Sequence, residues 1–148
     1  MQIIKKYIPK KIKKFSKDLL NLDYTFNVSI NANDTFLVSY PKSGNTWLRF
    51  LLANLVKKNN ELINFLNVNE YCPELGIDNK IIQKLSQPRI IKSHQSYNKK
   101  FPKVIYLVRD ARDVYVSYYN YLISEGRLAN ELTFREFLRT YDFPFGYW

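Results

Sequence analysis

A short apolar run that passes through a tight polar loop into an amphipathic stretch constrains this chain more than any other feature. Residues 35–40 read TFLVSY, which predicts a buried strand, and Pro41 and Gly44 end that run. Residues 46–58 place apolar side chains at helical spacing, which predicts a helix directly after the loop. The order strand, loop, helix is typical of a crossover unit in a parallel sheet.

The same alternation continues along the chain. The other predicted elements are strands at residues 89–92 and 103–108 and helices at residues 78–85, 114–124 (capped by Asp113) and 134–138 (capped by Thr133). Alternating strands and helices predict an α/β fold, which we expect to be three-layered and P-loop-like with a mainly parallel sheet. Ligands of such sheets bind at the carboxyl ends of strands, where residues 40–42 and 108–110 lie.

The loop after the first strand is suited to an anion. Its backbone N–H groups and the positive end of the following helix converge, and its side chains add donors and a cation. The residues expected to hold an anion here are Lys42, Ser43, Gly44, Asn45 and Thr46. The order differs from an ATP-binding Walker A loop, because Lys42 and Ser43 precede the loop's only glycine, which disfavours an ATPase.

Two segments resemble a known family. Residues 40–47 read YPKSGNTW and resemble the 5'-phosphosulfate loop, usually YPKSGTTW, of sulfotransferases that use 3'-phosphoadenosine-5'-phosphosulfate (PAPS). Residues 104–119 read VIYLVRDARDVYVSYY and resemble the family's 3'-phosphate segment, an arginine at a strand end followed eight residues later by a serine. The resemblance implies that Arg109 and Ser117 hold the 3'-phosphate and that Trp47 stacks on the adenine. Core packing is the alternative for Trp47.

A third segment, residues 92–94, reads KSH and is similar to the family segment that carries the general base. His94 is the one histidine of the chain, and an imidazole titrates near neutral pH. The resemblance implies in-line transfer of a sulfuryl group from PAPS to a hydroxyl or amine acceptor, with His94 removing the acceptor's proton. Lys42 is then the cation that neutralises the leaving group, 3'-phosphoadenosine-5'-phosphate (PAP), and no metal is required.

The resemblance also divides the chain. Residues 34–148 are similar to the first half of a sulfotransferase domain, and residues 1–33 form a basic arm and lead-in. Family members continue beyond this half, so we expect the second half to be absent here. The apolar side chains of residues 143–148 are then expected to pack against another surface, which a homodimer or a partner chain would supply.

The composition of the chain limits which partners and which cellular compartment we expect. A single cysteine, Cys72, excludes an internal disulfide, which fits a reducing compartment. One cysteine beside one histidine also disfavours a zinc site. With no apolar run long enough for a membrane span or a signal peptide, we expect a cytoplasmic protein. The net charge of +10 attracts anions of many kinds. The lysine-rich arm has two interpretations, peripheral contact with anionic lipid and a solvated helix.

Three alternatives to a sulfotransferase follow from the same residues. They are a PAP- or PAPS-binding fragment without turnover, a P-loop kinase or NTPase that needs magnesium, and a basic module for nucleic acid or membranes. We expect a small-molecule or carbohydrate acceptor and no nucleic acid. The tyrosines of the predicted helix at 114–124 are expected to serve packing; they are Tyr115, Tyr118, Tyr119 and Tyr121.

Overall fold

The computed structural model describes residues 28–58, 60–95 and 98–141. They form two compact units, one with the described residues up to Val108 and one with those from Arg109 on. Most of the predicted basic arm and the apolar segment 143–148 lie outside the described residues. In the part of the chain that is described, no helix is both long enough and apolar enough to cross a membrane.

The first unit contains a parallel three-stranded sheet. Its strands are β1 (Thr35–Ser39), β2 (Ile90–Ser93) and β3 (Lys103–Leu107), in the order β2-β1-β3. Three helices belong to the same unit, α1 (Asn45–Val56), α2 (Val68–Tyr71) and α3 (Asn79–Lys84). Strands and helices alternate and every strand pair is parallel, so the predicted α/β class with a parallel sheet is confirmed.

The core of this unit surrounds β1. Phe36 and Val38 point to one face, where they pack with Ile82 of α3 and Ile91 of β2. Because residues Phe36 to Ser39 are all buried, β1 is covered on both faces, as a central strand of an α/β sheet must be. The site loop therefore begins at the buried end of the central strand.

A buried ion pair joins the starts of β1 and β2. The Arg89 guanidinium donates through Nε to Asp34 Oδ1 at 2.8 Å and through a second nitrogen to the other carboxylate oxygen. Its remaining donors bind the carbonyl oxygens of Ile82, at 2.9 Å, and Ser29, at 2.7 Å. Arg89 thus makes four hydrogen bonds and both carboxylate oxygens of Asp34 accept from it, and such additional hydrogen bonds are the condition under which a buried pair is tolerated.

The second unit is a helix pair, α4 (Ala111–Ser124) and α5 (Phe134–Thr140). Tyr118 and Leu122 of α4 pack with Phe137 of α5, and the other tyrosines of α4 border this cluster. Their predicted packing role is therefore confirmed. Thr133 caps α5 as predicted, in a reciprocal capping box with Glu136.

The start of α4 differs from the prediction. We expected Asp113 to cap a helix from residue 114, but the cap is Asp110, whose carboxylate accepts from the Arg112 N–H at 2.9 Å. Asp113 instead lies in the first turn, where a negative charge also suits the helix dipole. Hydrogen bonds from Arg112 hold the pKa of Asp110 at about 2, so this cap stays charged.

Candidate functional site

The loop between β1 and α1 has an unusual backbone. Lys42 has φ 69° and Gly44 has φ 103°, so two left-handed residues flank Ser43. The Ser43 N–H donates to the Tyr40 carbonyl at 3.2 Å, which closes a turn. Alternation of left-handed and ordinary residues turns successive N–H groups into one concavity, which is an anion-binding arrangement.

The start of α1 adds to this concavity. No side chain caps the helix, and no acidic side chain lies in its first turn among the described residues. The first N–H groups of a helix have no partner within the helix, and the helix dipole makes that end positive. An external anion can therefore take the role that a capping side chain takes elsewhere.

Gly44 is required by its backbone angle more than by space. A Cβ at this position would meet Leu107 Cδ2 of β3 at 3.9 Å, an ordinary van der Waals distance. A side chain would nevertheless be strained at φ 103°, a conformation that glycine adopts at no steric cost. Gly44 is therefore the residue that allows the loop to turn into α1.

Two polar atoms in this loop are buried without a partner. Ser43 Oγ and Asn45 Oδ1 accept and donate no hydrogen bond, although Asn45 Nδ2 donates to Ser39 Oγ at 2.9 Å. The Ser39 hydroxyl can also donate, so the Asn45 amide can take the flipped orientation, which turns Nδ2 to the unpartnered position. The Ser43 hydroxyl can donate to a ligand oxygen in both orientations, whereas the Asn45 amide can do so only in the flipped one, because an amide oxygen accepts.

His94 follows the carboxyl end of β2 and is tied to the end of β1. Its Nδ1 lies 2.8 Å from the Ser39 carbonyl oxygen. A carbonyl oxygen only accepts, so Nδ1 carries the hydrogen, and in the neutral ring Nε2 is the basic nitrogen. Burial, and then the charge of Lys92, lower the pKa of His94 below its ordinary value, so the ring is neutral at neutral pH.

Ser39 thus joins two predicted site residues. Its hydroxyl binds the Asn45 amide and its carbonyl binds the His94 ring. Nothing in the sequence singled out Ser39, because it lies within the predicted strand at residues 35–40. The signal that could have found it is its place at the carboxyl end of the central strand.

Two further predicted residues lie in the helical unit. Arg109 is exposed just before α4, and its Nε is 3.5 Å from Asp113 Oδ2. Ser117 lies half-buried within α4. Each is where the sequence placed it, at a strand end and on the next helix; their role toward a phosphate stays a prediction.

Trp47 and Thr46 lie on the first turn of α1 and are exposed, Trp47 to 78% of its surface. Within the described residues Trp47 is therefore not part of a core, which leaves its indole face open to a ligand. No grouping of three or more His, Cys, Asp or Glu side chains that could hold a metal ion occurs in the described part of the chain.

Comparison with known proteins points to one family. The model of the sulfotransferase domain family matches residues 32–148. Sulfotransferase 4A1 of Homo sapiens is 34% identical to this chain, over 78% of the chain and 44% of its own length. Sulfotransferase 1E1 of Rattus norvegicus is 30% identical, over 81% of the chain and 47% of its own length. The chain thus spans about half the length of these curated relatives.

A solved structure has the same fold. Mouse sulfotransferase SULT7A1, complexed with PAP, superposes with a TM-score of 0.53 at 22% identity, over 86% of this chain and 44% of that one. At this identity the superposition establishes a shared fold.

Proposed function

The chain belongs to the sulfotransferase domain family, and from this premise we propose that it binds PAPS and contributes its half of a sulfuryl-transfer site. The proposed reaction moves the sulfuryl group to a hydroxyl or amine of a small-molecule or carbohydrate acceptor in the cytoplasm. One observation carries the proposal. The loop at residues 40–46 combines two left-handed residues with buried polar atoms that lack partners, and it is hydrogen-bonded through Ser39 to His94.

The proposed donor contacts follow from the loop. The amides of residues 44–46, at the open start of α1, hold the 5'-phosphate, because the Ser43 amide already donates to the Tyr40 carbonyl. The Ser43 hydroxyl adds a further donor. Lys42 supplies positive charge as negative charge grows on the oxygen that leaves sulfur. Arg109 and Ser117 hold the 3'-phosphate, an assignment that rests on the family resemblance. Trp47 stacks on the adenine, which its exposure permits.

His94 acts in the proposed chemistry as the general base. The acceptor oxygen forms a bond to sulfur, the bond from sulfur to the 5'-phosphate oxygen breaks, and the acceptor's proton passes to His94 Nε2. The hydrogen bond from Nδ1 to Ser39 selects the tautomer that can take this proton. The lowered pKa of His94, caused first by burial, keeps the ring unprotonated and ready at neutral pH.

Calorimetric titration tests the donor site. The purified chain is titrated with PAP, and with ADP and AMP as controls, with and without magnesium. We expect a magnesium-independent preference for PAP over both controls, because only PAP carries a 3'-phosphate. A preference for ADP that requires magnesium would instead indicate a kinase or NTPase and would contradict the proposal.

A matched pair of arginine variants sharpens this titration. Arg109→Ala should reduce the preference for PAP over AMP, because the forked guanidinium donors to the 3'-phosphate are lost. Arg112→Ala, three residues further and exposed, is the control and should retain the preference. An equal preference for PAP over AMP in the two variants would show that Arg109 is not a contact of the 3'-phosphate.

A second candidate function is donor binding without turnover. It is favoured by the loop at residues 40–46, whose buried unpartnered polar atoms account for contacts to the donor alone. PAP binding with no transfer to a panel of phenols, alcohols and sugars would support this candidate, and PAP release in the presence of one acceptor would exclude it.

A further inference from the structure

Lys92, whose charge lowers the pKa of His94, forms an ion pair with a residue outside the site described so far, Glu74. Lys92 Nζ on β2 lies 2.6 Å from Glu74 Oε2, and the two side chains are only 12% and 22% exposed. Partly buried pairs are screened less by water than surface pairs, so this contact affects the charge around it. Lys92 was part of the segment that resembled the family, whereas nothing in the sequence pointed to Glu74.

The backbone holds Glu74 in place. Residues 73–75 extend the sheet beyond β2, since the Lys92 N–H donates to the Pro73 carbonyl at 2.8 Å and the Leu75 N–H donates to the Lys92 carbonyl at 2.9 Å. The Glu74 N–H also donates to Asp78 Oδ2, at 2.8 Å, just before α3. The carboxylate therefore comes from an ordered segment at the outer edge of β2.

Lys92 and His94 face different partners. His94 follows Lys92 by two residues, so extended backbone would put both side chains on one face of the sheet. The His94 ring turns toward β1, where it binds the Ser39 carbonyl. Glu74, by contrast, attracts the Lys92 ammonium toward the opposite edge of β2.

We propose that Glu74 is a positioning residue, whose carboxylate holds the Lys92 ammonium at the outer edge of β2 and away from the His94 imidazole. The proposal rests on the role of His94 as general base. It gives the pair a function, because a cation closer to the ring would make His94 a weaker base for the acceptor's proton.

The charges around His94 agree with this arrangement. Lys92 on β2 lowers the pKa of His94, after the larger effect of burial, and Arg49 on α1 lowers it as well. Glu74 raises that pKa, and so does the hydrogen bond to Ser39 on β1. Glu74 therefore opposes the neighbouring cations.

The experiment uses NMR titration of the imidazole. The chain has one histidine, so an untagged sample gives a single imidazole signal and the pKa of His94 can be measured without any turnover. The titration compares the unmodified chain with Glu74→Gln, Lys92→Gln and the double variant. Glu74→Asp, which keeps a carboxylate, is the matched control.

We expect the pKa of His94 to fall in Glu74→Gln, to rise in Lys92→Gln and to stay near the unmodified value in Glu74→Asp. The fall caused by Glu74→Gln should be smaller when Lys92 is already replaced, because no ammonium is then released toward the ring. Equal falls in both backgrounds would mean that Glu74 acts only through its own charge, and they would overturn the positioning role. No fall at all would overturn it too.

Two checks separate this inference from the proposed function. If Glu74→Gln does not fold, Lys92→Gln alone still tests the pair, since an unchanged pKa of His94 would contradict an influence of the ammonium. PAP titration of the same samples is a separate readout. If the unmodified chain did not bind PAP, the donor site would be refuted. The pKa values of His94 in the variants would still decide the role of Glu74.

Discussion

Ser39 and His94 illustrate how one main-chain carbonyl selects the tautomer of a buried imidazole. The carbonyl of Ser39 fixes the hydrogen on His94 Nδ1, and burial lowers the pKa of the ring. Neither effect needs a carboxylate partner. The imidazole is held in the tautomer and the charge state that a general base requires.

Replacement of His94 by alanine removes the proposed general base. Transfer from PAPS to an acceptor, measured as PAP release, should fall by about 10²- to 10⁴-fold, the usual contribution of a general base. PAP affinity should remain nearly unchanged, because the ring is not among the proposed phosphate contacts. His94→Asn is the matched control, since its amide can still donate to the Ser39 carbonyl but cannot act as a base. Unchanged transfer in either variant would end the proposed role.

The pH dependence follows from the same residue. The transfer rate should fall as the pH decreases through the pKa of His94, because the protonated ring cannot accept a proton. Since burial and Lys92 lower that pKa, the fall should occur below the ordinary histidine value of about 6.5. A rate profile of the unmodified chain between pH 4.5 and pH 8 measures it, and a loss of rate centred above that value would contradict the assigned environment.

Among the elements, the β1–α1 connection depends on the backbone angle of Gly44. Gly44→Ala should destabilise the fold by about 1–3 kcal/mol, the cost of a strained non-glycine conformation, and should weaken PAP binding. Gly126→Ala is the matched control, because Gly126 has φ 63°, has no atom within 4 Å of an added Cβ and lies outside the loop. The Gly126→Ala variant should be less stable than the unmodified chain but should bind PAP with the same affinity. Urea unfolding measures the stability and calorimetry measures the PAP affinity. Equal PAP affinities of the Gly44→Ala and Gly126→Ala variants would refute the role of the loop.

The buried ion pair between Arg89 and Asp34 stabilises the sheet where β1 and β2 begin. Arg89→Met should lower the free energy of unfolding by about 3–5 kcal/mol, because Asp34 is left charged, buried and without its main partner. Arg89→Met combined with Asp34→Leu should recover part of that loss. Arg112→Gln, which breaks the exposed pair with Asp110, is the control and should leave urea unfolding almost unchanged. Equal losses for the buried and exposed pairs would contradict this account.

For the whole molecule, the net charge of +10 creates a general attraction for anions that must be separated from specific recognition. Raising the salt to about 0.5 M should weaken PAP and ADP binding in parallel, because screening acts on both ligands. The ratio of their affinities should persist, since the 3'-phosphate contacts are short-range. Calorimetry at low and high salt measures the ratio, and a ratio that falls to one would attribute the preference to net charge alone.

Much of this architecture could be read from local sequence. The strand at Thr35–Ser39, the loop with Gly44 and the helix after it follow from apolar spacing and turn residues, which act over a few positions. The start of α4 was misplaced by three residues because Asp110 and Asp113 are both good caps, and local pattern cannot choose between them.

Sequence alone therefore predicted the three strands, every described helix except the short α2, the glycine-containing loop after β1 and the family. Tertiary structure alone decided which side chains meet, because each such contact joins distant parts of the chain. His94 and Ser39 are 55 residues apart, and Lys92 and Glu74 are 18 apart. Only the parallel pairing of β1 with β2, and of β2 with residues 73–75, brings these groups within hydrogen-bonding distance. The burial that lowers the pKa of His94 arises from the same tertiary packing.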